Sequence, residues 1–403
     1  MARQGAPARR RSLPRRWWLF RPFDLLARYW PVRRKRRGAL IVRIDGIGDM
    51  MLFHGAFAHY PEALGIPLSE VTLLGCASWA SIAPRLFPGC RFRAIDEHRY
   101  DKSPFYRFRI SLWVRRQGFA TALCDSFLRK PLVADSLLYV SGAPRLVAAK
   151  PYQSAKTQRL FDWYLARYHQ VIDTGAYPTH EIIRHFRFLS ALGGREIRPA
   201  PPRLDWSAAS SPPVPGAYAV INFGGNEPGR RWSFDHFLAV AEVLAQSGLS
   251  VVFIGGRAEE AFKQRLAALP GEKRFIDLIG ATTLAELLDL LRQAALVVSN
   301  DTGPAHLAIG LGTPSVVIVG GGHFGSFVPY PADVSPPNVR FVYRERSCFH
   351  CFWNCTEPHQ SGSAFPCIDA IERAAVLAAI DEVVSPSRLA ASPNSSDAPA
   401  NAV

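Results

Sequence analysis

Short apolar runs alternate with amphipathic stretches of helical spacing along most of this chain. In the first half the runs are ALIVRI (39–44), VTLLG (71–75), RFRAI (91–95) and FATALC (119–124). Apolar runs separated by helix-length segments predict βαβ units on a parallel sheet. Between about residues 154 and 192 the spacing predicts longer helices. The second half repeats the alternation with YAVINF (218–223), SVVFIG (250–255), FIDLIG (275–280), LVVSN (296–300) and SVVIV (315–319). Its helices carry start signals: Thr283 and Glu286 form a capping box, after which Leu284, Leu287, Leu288 and Leu291 fall on one face. A second helix is expected over 234–246 and a last one over 368–384. The expected fold class is α/β, with doubly wound sheets that bind ligands beyond the carboxyl ends of their strands.

Length and punctuation divide the chain. At 403 residues it suits two domains, and Pro199, Pro201, Pro202, Pro212, Pro213 and Pro215 cannot sustain a helix or a central strand. The linker is placed at 198–216, between an N-terminal domain over 38–197 and a C-terminal domain over 217–384. Residues 385–403, rich in Pro, Ser and Ala without periodicity, are expected to be a disordered tail.

The net charge of +15 suggests nucleic acid until it is located. Residues 1–37 hold twelve Arg and Lys35 against the single Asp24, so +12 of the +15 lies at one end. There WWLFRPFDLLARYW (17–30) interleaves aromatic and Leu residues with Arg21 and Arg28, a composition suited to an anionic membrane surface. A solvated basic tail is the alternative. No nucleic-acid motif accompanies the charge. Arg21, Asp24 and Arg28 interrupt the apolar run that a secretory signal needs, and no long apolar span predicts a transmembrane helix. The expected location is cytoplasmic, with a peripheral position on the membrane as one reading.

Four strand-end loops offer chemistry. After LVVSN comes Asp301-Thr302-Gly303-Pro304-Ala305-His306, where Pro304 suits a first helical turn and Gly303 admits a ligand to the backbone. Free N–H groups there would bind a diphosphate, with the Thr302 hydroxyl as a further donor; a plain Asp or Thr cap is the bland reading. After YAVINF, the loop GGNEPGRRW brings Arg230 and Arg231, either of which could pair with a phosphate. After SVVFIG, Glu259 stands where an acid could meet ribose hydroxyls. In the first half ALIVRI runs into Asp45-Gly46-Ile47-Gly48-Asp49. This loop lacks the third glycine of a dinucleotide fingerprint. Asp49 could be a general base for an acceptor hydroxyl, or simply a helix N-cap. No D-x-D metal-chelating motif is present, so Arg residues and helix dipoles would neutralise the phosphates.

Taken together, RIDGIGD, GGNEPGRRW and LVVSNDTGPAHLAIGLGTPSVVIVGG resemble glycosyltransferase family 9, the ADP-heptose:lipopolysaccharide heptosyltransferase family, over about residues 39–384. The resemblance implies a GT-B fold, two Rossmann-like domains facing a cleft, and metal-independent inverting transfer from a nucleotide-diphosphate sugar. It implies Asp49 as catalytic carboxylate beside Gly46 and Gly48 on the acceptor side. Arg230, Arg231, Glu259, Asp301, Thr302, Gly303 and His306 would lie on the donor side. The acceptor would be a glycolipid or polysaccharide of the cell surface. A nucleotide-sugar epimerase or hydrolase, and a non-catalytic nucleotide-sugar-binding protein at the membrane, are the alternatives. The basic aromatic N-terminus is no part of the family pattern.

Cys348, Cys351, Cys355 and Cys367 cluster as C-x2-C-x3-C-x11-C. Four thiols at such spacing suggest a structural zinc, with free or redox-active thiols and an iron–sulfur cluster as alternatives. Catalysis requires no cofactor on this reading.

Overall fold

The computed structural model describes residues 13–212, 215–268 and 274–384. The expected disordered tail lies outside them. Two six-stranded sheets are present, and every pairing in both is parallel. The first contains β1 (Ala39–Arg43), β2 (Val71–Cys76), β3 (Arg91–Ile95), β4 (Thr121–Cys124), β5 (Arg145–Ala149) and β6 (Gln170–Ile172). The second contains β7 (Tyr218–Asn222), β8 (Ser250–Ile254), β9 (Phe275–Asp277), β10 (Leu296–Asn300), β11 (Ser315–Ile318) and β12 (Val339–Val342).

The orders are β3-β2-β1-β4-β5-β6 and β12-β11-β10-β7-β8-β9, which are the same topology used twice. Parallel strands covered on both faces read as near-continuous apolar runs, and β1, β7 and β10 are buried at every position. In each sheet the chain reverses its winding between the first and fourth strands. That places a ligand crevice after β1 and β4 in one domain, and after β7 and β10 in the other.

The helices that position the site are α1 (Arg15–Arg28), α2 (Ile47–Phe57), α3 (Pro104–Gln117), α4 (Ser136–Ser141), α5 (Glu181–Gly193), α6 (Phe234–Gln246), α7 (Leu284–Gln293), α8 (Gly303–Gly310) and α9 (Arg373–Val383). The capping box of α7 is present, Thr283 Oγ1 accepting from the Glu286 N–H and Glu286 accepting from the Thr283 N–H. β5, β6 and β12 were not anticipated. β6 lies inside the 154–192 stretch expected to be helical, where only Gln158–Leu165 and α5 are long helices.

The N-terminus differs most from expectation. α1 packs on α3 and α4, burying Trp17, Phe20, Asp24 and Ala27 along one face. Burying Trp17 and Phe20 stabilises this contact by about 1.5–3 kcal/mol each. Asp24 accepts two 2.8 Å hydrogen bonds from Arg107 and a third from Ser136 Oγ at 3.0 Å. This segment is therefore part of the first domain rather than an extension standing beside it. The Pro-rich segment is also docked: Leu204 and Trp206 are buried, and the Trp206 indole donates to Asp289 on α7 at 2.7 Å.

Candidate active site

The two crevices face one another and enclose one cavity of about 1010 Å³. Its walls include Gly46, Gly48 and Asp49 from the loop after β1 and the start of α2. They also include Arg230 and Arg231 after β7, Glu259 after β8, and Asp301, Thr302, Gly303 and His306 after β10. Asp49 and His306, 257 positions apart in sequence, thus share one chamber.

The β1 and β10 loops meet at close range because both carry glycine at the contact. A Cβ on Gly48 would lie 2.8 Å from His306 Cδ2, and one on Gly303 would lie 3.1 Å from the Ile47 Cβ. The first distance is closer than a side chain tolerates. Behind them α2 packs on α8, with Met51 filling the space above Gly310.

Asp49 is not the N-cap of α2. Gly46 occupies that position, and Asp49 lies in the first turn. Burial, with Asp45 adding, pushes the Asp49 carboxyl up to about 6, against the pull of Arg43 and His306. A carboxylate near 6 is free to accept a proton at neutral pH and basic enough to hold it in the transition state.

A buried ion network holds this loop. Arg43, at the end of β1, bonds Asp125 Oδ1 at 2.9 Å, Ser126 Oγ at 2.8 Å and Asp45 Oδ2 at 2.9 Å, and donates to the Asp49 carbonyl at 3.4 Å. His185 of α5 lies 2.8 Å from the other Asp125 oxygen. Burial opposes the charge on Asp125, yet Arg43 and His185 hold its carboxyl below the usual range. Arg43, Asp45, Asp125 and His185 were missed from sequence, although an Arg inside the apolar run ALIVRI was a signal for a buried partner.

On the donor side no side chain caps α8, which leaves its N-terminus open to an anion. Thr302 is committed elsewhere: its hydroxyl accepts from Asn222 Nδ2 at 2.7 Å and donates to the Asn300 carbonyl at 3.2 Å. Asn300 in turn accepts from the Trp232 N–H and donates to the Phe223 and Gly224 carbonyls, locking the β10 loop to the β7 loop. Asp301 lies 3.4 Å from His306 Nε2 and 3.6 Å from Arg230. Burial works against its charge, but His306 and Arg230 hold it below the ordinary carboxylate range.

The two arginines separate. Arg231 is occupied, donating to the Gly225 carbonyl and pairing with Glu259 at 2.9 Å. The second Glu259 oxygen accepts from the Gly256 N–H at 2.8 Å, so this acid first serves to brace the β7 and β8 loops. Arg230 has only the longer contact to Asp301 and stacks over Trp353 at 4.2 Å, which leaves its guanidinium available to a phosphate.

Cys348, Cys351, Cys355 and Cys367 are free thiols outside the cavity wall. Among the described residues no group of three or more His, Cys, Asp or Glu side chains is set to hold a metal ion. Aromatic packing shapes the segment that carries the cysteines. Phe349 and Trp353 lie on Gly320–Gly322, and Phe352 stacks on both Tyr152 and Tyr177 at 4.6 Å. His350, Phe352 and Trp353 all take left-handed backbone, at φ of 71°, 53° and 61°. Such conformations are strained for side chains of this size and persist only where the surroundings impose them.

A pair of Rossmann-like parallel sheets whose switch points face one cavity is the GT-B architecture, and that is the fold of this chain. Residues 190–355 match the glycosyltransferase family 9 (heptosyltransferase) model, the family that the motifs resemble. Lipopolysaccharide heptosyltransferase 1 of Escherichia coli is 27% identical over 296 residues, 70% of this chain and 87% of that protein. The chain spans only about a third of the length of the first heptosyltransferase 2 relatives it matches. Among solved structures, E. coli ADP-heptose lps heptosyltransferase II superposes with a TM-score of 0.61 at 18% identity, covering 86% of this chain and 98% of that one. TibC, described as a bacterial iron-containing dodecameric glycosyltransferase from enterotoxigenic E. coli, gives 0.51 at 17% identity, covering 87% and 77%.

Proposed function

We propose that this protein is a metal-independent, inverting glycosyltransferase. It moves a heptose-like sugar from a nucleotide-diphosphate donor, ADP-heptose or a close analogue, to a lipopolysaccharide-core or related surface-glycan acceptor. The observation that carries the reading is the single cavity in which Asp49 faces the open N-terminus of α8 and Arg230. Residues 38–197 supply the acceptor side and 217–384 the donor side.

In the reaction Asp49 takes the proton of an acceptor hydroxyl as its oxygen attacks the anomeric carbon, from the face opposite the departing diphosphate. Arg230 and the backbone at Gly303 stabilise the charge growing on that diphosphate. Asp301 and His306 fix the loop, and Arg231 with Glu259 fixes the neighbouring one. The Arg43 network keeps Asp49 in place and moderates its basicity.

The enzyme works at the cytoplasmic face of the inner membrane, held there by the outward side of α1. Trp18, Leu19, Leu26, Tyr29 and Trp30 are exposed there, beside exposed Arg33, Arg34, Lys35 and Arg37. An apolar stripe rimmed by cations suits anionic lipid. Among the described residues no helix is long and apolar enough to cross a membrane.

A thermal-shift panel of nucleoside diphosphates and nucleotide sugars tests the donor reading. Binding to the folded state alone raises the melting temperature by mass action. Stabilisation by ADP and ADP-heptose is expected, and a protein indifferent to every nucleotide in the panel would refute the site.

A further inference from the structure

His323, in the loop after β11, belongs to the same cavity wall as Arg230, Asp301 and Gly303, yet no motif marks it. Its ring is clamped edge-on by Phe352 at 4.9 Å and Phe327 at 5.7 Å, with Trp353 and Tyr177 at 6.4 Å. Nδ1 is sealed from solvent and has no hydrogen-bond partner. A protonated imidazole carries two N–H donors, and the one on Nδ1 would here be buried unpaired, at a cost. The favoured tautomer therefore keeps Nδ1 bare and its proton on Nε2. That nitrogen is the one through which the ring can meet a ligand in the cavity.

The charged groups around the ring agree. Burial holds the imidazole down to about 4, Arg230 from the β7 loop adds to this, and Asp301 from the β10 loop opposes it. His323 is thus neutral at physiological pH beside a cation suited to phosphate.

We propose that His323 is a neutral ligand of the donor diphosphate, giving it an Nε2–H hydrogen bond from the side of the β11 loop while Arg230 supplies the charge. The inference rests on the donor reading above. It assigns the β11 loop a recognition role, and it explains why aromatic rings from both domains, Tyr177 and Phe352, hold an imidazole whose Nδ1 has no hydrogen-bond partner. A neutral donor helps where charge accumulates on a leaving group without fixing a second full cation beside Arg230.

Isothermal titration of ADP into the intact protein tests it, comparing wild type with His323→Ala and His323→Gln at pH 6.5 and pH 8. Melting curves confirm that both variants are folded. The Ala variant is expected to bind ADP roughly tenfold or more weakly, as for a lost hydrogen bond to a charged group. The Gln variant, whose amide N–H can stand in for Nε2–H, is expected to recover much of that. The Ala deficit should be the same at both pH values. Equal affinity of wild type and His323→Ala overturns the proposal, as does a deficit confined to pH 6.5, which would mean an imidazolium. If wild type itself ignores ADP, the donor site fails and the proposal with it.

Discussion

The Asp24–Arg107 pair decides whether the N-terminal helix is structural. Asp24 is 2% exposed and Arg107 is fully buried, joined by two 2.8 Å bonds; Arg107 also reaches Ser136 Oγ and the Leu132 carbonyl. Replacing Asp24 by Leu leaves a guanidinium buried without its counterion. Removing one partner of a buried pair costs about 3–5 kcal/mol. For a domain of this size each kcal/mol moves the melting temperature by about 2–4 °C, so a drop of roughly 6–20 °C is expected. Trp18→Ser, on the exposed side of the same helix, should stay within about 0.5 kcal/mol of wild type. Converting the pair together, Asp24→Leu with Arg107→Met, should recover most of the loss, because a buried pair can give way to apolar side chains of similar volume at little cost. Differential scanning fluorimetry reads all three. A single variant that melts like wild type, or a double variant no better than the single, would refute the packing role. Truncating residues 1–37 is then expected to destabilise the first domain, so it cannot by itself report on membrane binding.

Other outcomes follow from the same geometry. Trp18→Ser combined with Leu26→Ser and Tyr29→Ser should reduce co-sedimentation with anionic phosphatidylglycerol vesicles while leaving the melting temperature nearly unchanged; unaltered binding would remove α1 from the membrane contact. Gly48→Ala places a methyl group against the His306 ring, and transfer activity should fall by an order of magnitude or more, as misplacing reacting groups by an ångström does. The raised Asp49 carboxyl means that its stabilising contribution is present at low pH and is lost as pH rises through about 6. Asp49→Asn escapes that loss, so its melting temperature should exceed that of wild type at pH 8 and match it near pH 4. A constant difference across that range would contradict the assigned burial.

Much of the fold was legible because buried parallel strands announce themselves as apolar runs. The strands without a clear signal are short or weakly patterned: β6 has three residues at a sheet edge, β12 is the equivalent edge strand of the other sheet, and β5 (RLVAA) is rich in alanine. Within the site, strand-end position and glycine content pointed to the β1, β7 and β10 loops, since the crevice rule depends only on topology. The partners of those residues were not legible. Asp24 looked like an interruption of an apolar run because its partner lies 83 residues away. Likewise the partners of Thr302 and Glu259, Asn222 Nδ2 and Arg231, come from β7 and the loop after it.

The most direct test of the account compares Asp49→Asn with wild type in two measurements on the same preparation: sugar transfer from ADP-heptose to a truncated lipopolysaccharide acceptor, and ADP affinity by titration. The account predicts a loss of about 10²–10⁴-fold in kcat, as for removal of a general base, with ADP affinity unchanged. Transfer at the wild-type rate, or a fall in ADP affinity that matches the fall in activity, would contradict it.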